Sequence, residues 1–263
     1  MPVCIDQGGY NRCCGDVLIA VRCGGNFCPN KGTRRHRPKR FRSASAATPR
    51  FSPPVTSVER RPMLVLERKE ILRREGRIRL RERAESAYSA EVGDRAQEHF
   101  LREFPPRAGR SAALYCALAG EVPTERIRHA YLAAGARLYY PRVTGRWTLA
   151  FYPHREGDGW ETGPYGIPEP SNPAGVEPLL SGWDIIVVPG LAFDRRGNRL
   201  GHGFGCYDRF LGGLPESVPR VGLACAGQLV PEVPVDAWDV PVHALVTEEG
   251  VIRVVKASGS PEP

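Results

Sequence analysis

Residues Val187–Leu211, VVPGLAFDRRGNRLGHGFGCYDRFL, carry most of what this chain says about its fold. The segment begins inside Trp183–Pro189 (WDIIVVP), an unbroken apolar run of the kind buried on both faces in a parallel sheet. The strand runs into Pro189-Gly190. A turn at Arg196-Gly197-Asn198 follows, and then Gly201, Gly203 and Gly205 at alternate positions. Glycines let a backbone approach a ligand and adopt positive φ. Successive free N–H groups in such a loop form an anion nest, and the N-terminus of a following helix adds to it. Arg199 and His202 supply cationic donors for phosphate. Asp208 falls in the first turn of a short helix expected over Asp208–Leu211, where it suits a magnesium ion bridging phosphate oxygens. The alternative is structural: a tight connection after a strand, with Asp208 as a helix cap. No G-K-[S/T] ends the loop and the G-x-G-x-x-G spacing is absent, so it is neither a Walker loop nor a dinucleotide fingerprint.

Outward from this segment, strands alternate with helices. Residues 64–85 form a strongly basic helical pattern supported by Glu and Arg three and four apart. A second helix is expected over Ala90–Phe104, closed by Pro105-Pro106. Ala112–Ala119 (AALYCALA) is an apolar run expected to be a buried strand. Thr124 is a candidate cap for a helix reaching Ala134 and ended by Gly135. Ala136–Pro141 and Trp147–Tyr152 have strand character, and a Gly- and Pro-rich loop is expected from Pro153 to Gly182. Val221–Cys225 and Ala244–Glu249 are late strands. The expected class is α/β: a layered sheet with helices on both faces.

The charge is segregated. The 263 residues have a formal charge of +8, which by itself suggests a nucleic-acid or anionic-surface partner. Residues 1–62, however, hold twelve basic residues against three acidic ones, a surplus of nine, which leaves the rest of the chain one charge negative. Five of the eight cysteines also fall in this leader. Its Arg-, Ser- and Pro-rich stretch Thr33–Pro54 has no apolar period and is expected to be disordered. Four readings stand for it. It is a dispensable extension or upstream start ahead of Met63, a transit peptide, a basic arm touching nucleic acid, or a zinc site. Zinc is the weakest, because the cysteines lack C-x2-C spacing. No apolar run approaches the roughly 20 residues a membrane span needs. The expected organisation is a disordered basic leader, 1–62, and one folded domain, 63–263. Without a secretory signal, the three later cysteines are expected as reduced thiols in a cytoplasmic protein, with organelle import through the leader left open.

The segment Pro189–Leu211 resembles the signature of the 5-formyltetrahydrofolate cyclo-ligase family, also called 5,10-methenyltetrahydrofolate synthetase. The resemblance extends over residues 66–250. Lys69-Glu70-Ile71-Leu72-Arg73 is similar to the family's N-terminal K-x-x-L-R, and Glu121-Val122-Pro123-Thr124 to its E-hydrophobic-x-T. Leu138–Pro141 resembles its strand ending in Pro, Tyr165–Pro170 its Y-G-I-x-E-P, and Asp236–Asp239 its late acidic motif. The resemblance implies a Rossmann-like fold and an ATP-driven cyclisation in which ATP phosphorylates the formyl oxygen of 5-formyltetrahydrofolate. The nitrogen at position 10 then attacks and phosphate leaves. The implied partners are ATP and 5-formyltetrahydrofolate, with Mg2+ as cofactor and no membrane or nucleic acid, and the expected state is a monomer.

Carried over by residue, the resemblance implies that Lys69 and Arg73 contact ATP phosphates and that Arg199, Leu200, Gly201, His202, Gly203, Phe204, Gly205, Cys206 and Tyr207 form the nucleotide loop. Cys116, Glu121 and His202–Cys206 would meet the folate, Asp208 and Asp239 would hold the metal, and Arg199, Tyr207 and Asp208 would be catalytic. Read alone, Lys69 and Arg73 are solvated charges, Cys116 a core thiol, and Glu121 and Asp239 acids at turns. The chain departs from the family at Cys206, where Tyr or Phe is usual, at Phe204, where Gly or Lys is common, and at Pro123, where an acid is usual. The contrasting class is a non-catalytic folate- or nucleotide-binding relative.

Overall fold

A computed structural model of the chain describes residues 64–86, 88–171 and 176–255; the leader 1–62, its cysteines and Met63 lie outside these residues. The basic pattern forms α1 (Val65–Ala84), braced on its exposed side by an Arg79–Glu75 pair at 3.0 Å. Its other side buries Lys69, Gly76 and Leu80. Gly76 permits that contact, because a Cβ there would stand 3.0 Å from the Cβ of Leu191. The next helix, α2 (Tyr88–Glu103), buries Val92, Ala96 and Phe100 at helical spacing.

Strand β1 (Ser111–Ala113) is shorter than the apolar run that predicts it. After Ala113 the chain leaves the sheet but stays buried: Leu114 and Tyr115 are covered, and the Tyr115 hydroxyl donates to the Val122 carbonyl at 2.6 Å. Helix α3 (Glu125–Ala133) starts where expected, yet Thr124 does not cap it. Its hydroxyl donates to the Tyr115 carbonyl at 2.9 Å, and the Gln97 side chain from α2 accepts the Arg126 N–H instead. Gly135, at φ +74°, ends the helix.

Strands β2 (Arg137–Gly145) and β3 (Thr148–Pro153) form a hairpin around Arg146-Trp147. The loop expected after Pro153 is not all loop. It contains a second hairpin, β4 (Trp160–Thr162) with β5 (Pro168–Pro170), in which two prolines and a short span gave no alternating pattern to detect. The decisive apolar run is β6 (Ile185–Val188). Beyond it come the two-residue strands β7 (Ala192–Phe193) and β8 (Arg199–Leu200), the helix α4 (Cys206–Gly212), β9 (Arg220–Leu223), β10 (Ala244–Thr247) and β11 (Gly250–Arg253).

The main sheet has the order β11-β10-β9-β6-β1-β2-β3. Its five inner strands run parallel, and β11 and β3 are antiparallel edges. Alternate side chains face opposite layers. Ala112, Leu138, Tyr140 and Val187 pack under α2 and α3, whereas Ala113, Tyr139, Ile186 and Val188 pack with Leu211 of α4. Helices therefore cover both faces. The chain leaves β1 toward β2 on one side and β6 toward β9 on the other, so the strand order reverses between β1 and β6. Open α/β sheets bind ligands in the crevice outside the carboxyl ends of such strands.

Candidate functional site

A cavity of about 650 Å3 opens at that switch point, lined by Tyr115 and Cys116 after β1 and by Pro189 and Gly190 after β6. Every residue named above as a site candidate lines it: Lys69, Arg73, Cys116, Glu121, the run Arg199–Asp208, and Asp239.

Helix α1 supplies one wall. Lys69 is not a solvated charge. It is 3% exposed, and its ammonium donates to Asp236 at 2.6 Å and to Asp239. Arg73 donates to the Gly201 carbonyl at 3.3 Å, and Arg77 to the His202 carbonyl at 3.0 Å. The glycine loop is thus tied to α1 by its carbonyls. Gly203 and Gly205, at φ +111° and +64°, hold backbone conformations that side chains rarely adopt.

Strand β8 delivers Arg199, whose guanidinium is almost wholly buried and pairs with Asp208 at 2.8 Å. It also lies 5.5 Å from the centre of the Tyr207 ring, and its Nε has no hydrogen-bond partner among the described residues. Burial, reinforced by the nearby charge of Glu121, pushes the Tyr207 phenol well above its ordinary value, so it is a neutral donor. Glu121 accepts the Leu118 N–H at 2.9 Å through one oxygen, and its other oxygen lies 3.8 Å from His202 Nε2. Burial raises the Cys116 thiol to about 12, with the charges of Glu125 and Glu169 adding to it, which rules out a thiolate nucleophile near neutral pH. Burial raises Cys206 as well.

Among the cavity residues given no role on sequence grounds, three carry polar or aromatic contacts of note. Glu169 of β5 is buried and accepts the Val143 N–H at 3.1 Å. Tyr165 stacks on Phe204, ring centres 5.2 Å apart and planes 20° from parallel. The Tyr165–Pro170 motif was the signal for both. Asp236 is the second partner of Lys69 and was visible only as part of the acidic motif.

Magnesium takes hard oxygen ligands, commonly one or two carboxylates completed by substrate phosphates. Asp208 and Asp239 line one cavity and fit that donor set. Among the described residues no three His, Cys, Asp or Glu converge into a ready cage. Each of the two carboxylates is matched instead by a cation, Arg199 for Asp208 and Lys69 for Asp239.

The comparisons agree with this architecture. The chain is 34% identical over 154 residues to a protein of Haemophilus influenzae named 5-formyltetrahydrofolate cyclo-ligase, covering 57% of this chain and 81% of that one. It is 31% identical over 164 residues to an Escherichia coli protein of the same name, covering 61% and 90%. The solved structure of Aquifex aeolicus 5,10-methenyltetrahydrofolate synthetase superposes with a TM-score of 0.59 at 30% identity, covering 74% of this chain and 96% of that one. The model of the 5-formyltetrahydrofolate cyclo-ligase family matches residues 63–248, which span α1, the switch-point cavity and the glycine loop alike. By sequence and by fold, the chain belongs to the 5-formyltetrahydrofolate cyclo-ligase family.

Proposed function

We propose that the protein catalyses the ATP-dependent closure of 5-formyltetrahydrofolate to 5,10-methenyltetrahydrofolate, releasing ADP and phosphate. The observation that carries this reading is the convergence of α1, the turn after β1 and the glycine loop on one cavity at the switch point. An amide oxygen is a poor leaving group, and phosphorylation makes it a good one. The protein's part is to align the formyl oxygen with the terminal phosphate and to balance the charge that moves.

Lys69 and Arg73 face the phosphates from α1, and the backbone from Leu200 to Gly205 cradles them. Arg199 balances charge on the transferring group, and Tyr207 remains a neutral donor beside it. Asp208 and Asp239 would hold the magnesium ion, whose charge offsets that of the phosphates when bound. Glu121 accepts hydrogen bonds from the N–H-rich pterin edge. Cys116 and the loop His202–Cys206 line the folate side, where the stacked pair Phe204 and Tyr165 supplies the aromatic face absent at Cys206. The protein acts as a monomer in the cytoplasm in this reading, with organelle import through the leader as the alternative. No described helix is long and apolar enough to cross a membrane.

Purified protein given 5-formyltetrahydrofolate and MgATP is expected to form the methenyl product, followed by its near-ultraviolet absorbance. No product at high enzyme concentration would leave a non-catalytic binder as the better reading.

A further inference from the structure

Ring closure makes one chemical demand that the roles given above leave unmet. N10 of the folate carries a proton, and once that nitrogen bonds to the formyl carbon the proton must pass to a base. Most groups lining the cavity are already committed. Asp208 is paired with Arg199, Asp236 and Asp239 with Lys69, and Glu70 with Arg73. Glu169 accepts the Val143 N–H. Burial raises the thiols of Cys116 and Cys206 and the phenols of Tyr115 and Tyr207, so all four keep their protons near neutral pH.

His202 differs from all of these. Its Nε2 is shielded from solvent, yet it has no hydrogen-bond partner among the described residues. It lies 3.8 Å from Oε1 of Glu121, too far for a hydrogen bond. A carboxylate oxygen and an imidazole nitrogen thus stand side by side in the cavity, separated by a gap. The other Glu121 oxygen is fixed by the Leu118 N–H at 2.9 Å. The backbone that carries the imidazole is held from α1, because Arg73 binds the Gly201 carbonyl at 3.3 Å and Arg77 the His202 carbonyl at 3.0 Å. The ring therefore sits between the carboxylate assigned to the pterin and the loop assigned to the phosphates, where the two reagents meet. Imidazole is also the side chain best suited to take and return a proton near neutral pH.

We infer that His202, oriented beside Glu121, is the base that removes the N10 proton during ring closure. This rests on the cyclo-ligase reading above. N10 forms its bond to the carbon of the phosphorylated formyl group, and its proton passes to Nε2 of the neutral imidazole. The carbon–oxygen bond then breaks, the electron pair leaves with phosphate, and the methenyl bridge remains. The Glu121 carboxylate stabilises the imidazolium formed in this step, and the proton returns to water when product leaves. The charged groups around the imidazole are Glu121 from the turn after β1 and Arg73 and Arg77 from α1; Tyr115 and Tyr207, on the far side of Glu121, are neutral.

The test separates phosphoryl transfer from closure in the full chain. With 5-formyltetrahydrofolate and MgATP, reversible phosphoryl transfer scrambles heavy oxygen from the β–γ bridge of ATP into the non-bridging β positions, which phosphorus NMR follows. Closure is followed by the absorbance of the methenyl product. His202→Gln keeps a polar side chain that is no base, and His202→Arg keeps a cation for phosphate. Both variants are expected to scramble within about threefold of the wild-type rate while closure falls about a hundredfold or more. In the wild-type protein the ratio of closure to scrambling should fall toward acid pH with a slope of one, and in His202→Gln it should be flat. Equal loss of scrambling and closure in both variants makes His202 a phosphate contact and overturns the inference. Closure by His202→Arg at the wild-type rate, or a wild-type ratio independent of pH, overturns it as well and leaves the enzymatic reading intact. A wild-type protein that neither scrambles nor closes overturns the cyclo-ligase reading, and this inference with it.

Discussion

Asp208 has two tasks that pull in one direction. It neutralises a nearly buried guanidinium, and it lines the cavity proposed above to receive the metal and the phosphates. Asp208→Asn keeps the shape and removes the charge. Arg199 is then left buried with only neutral acceptors, which costs about 2 kcal/mol of stability. Loss of one preorganised charge at a phosphoryl-transfer centre lowers turnover at least about a hundredfold. The expected result is a folded protein with a lower melting temperature and almost no methenyl product. Full activity in this variant would remove Asp208 from the metal role. The pairing with Arg199 was half legible: nine residues apart, with a loop between, the two could be assigned to one site but not to one another. The pairing of Lys69 with Asp236 and Asp239 was not legible at all. Their separation along the chain is 167 and 170 residues, and only the docking of α1 onto the late acidic segment brings them together.

At the scale of elements, the other end of α1 is seated against Gly120. It sits at φ +85°, and a Cβ there would fall 2.0 Å from the Leu80 carbonyl oxygen of α1. Gly120→Ala must therefore push α1 away from the turn that carries Glu121. A loss of about 3 kcal/mol is expected, a fall of roughly 10 °C in Tm for a domain of this size. KM for ATP should rise with it, because Lys69 and Arg73 ride on α1.

The β4–β5 hairpin has its own fastening. His154 is 2% exposed, stacks on Trp160 at 3.9 Å, and has no partner for either ring nitrogen among the described residues. Burial pushes its imidazole below the ordinary 6.5, and the charge of Arg128 adds to the effect, outweighing the upward pull of Asp158. The fold therefore favours the neutral ring while the unfolded chain protonates near 6.5. The contribution is intact above that pH and is lost as pH falls below it. Melting curves from pH 8 to pH 5 should show this decline, and His154→Phe, which keeps the stack without the nitrogens, should flatten it.

The elements themselves were unequally legible. Trp183–Pro189 announced β6 because a strand covered on both faces is apolar throughout. Ala112–Ala119 misled for the same reason: residues lining the floor of a cavity are as apolar as a buried strand, and β1 stops at Ala113. The two-residue strands β7 and β8 are too short to carry a period, and β11 is an edge strand whose pairing is set by β10 rather than by its own sequence.

For the whole molecule, the formal charge of +8 belongs to the leader, and the family match begins at residue 63. A chain starting at Met63 is expected to turn over at the full-length rate while carrying a net charge of −1. Any salt-sensitive affinity of the full chain for nucleic acid should vanish with residues 1–62. Steady-state assay and ion-exchange elution of the two proteins check both outcomes, and a large loss of turnover on truncation would give the leader a part in the reaction.

The reversal of strand order between β1 and β6 has a further meaning for how this protein is divided along its length. The first three strands build one contiguous block of the main sheet, β1-β2-β3, and strands from the second half of the chain build the other, β6-β9-β10-β11. Within the main sheet the two blocks share one seam, where β1 pairs with β6. Glu121 and Lys69 come from the first half of the chain and the glycine loop from the second, so neither half alone holds every candidate site residue. The enzyme is in effect a heterodimer written on one chain, and its activity reports the integrity of that seam.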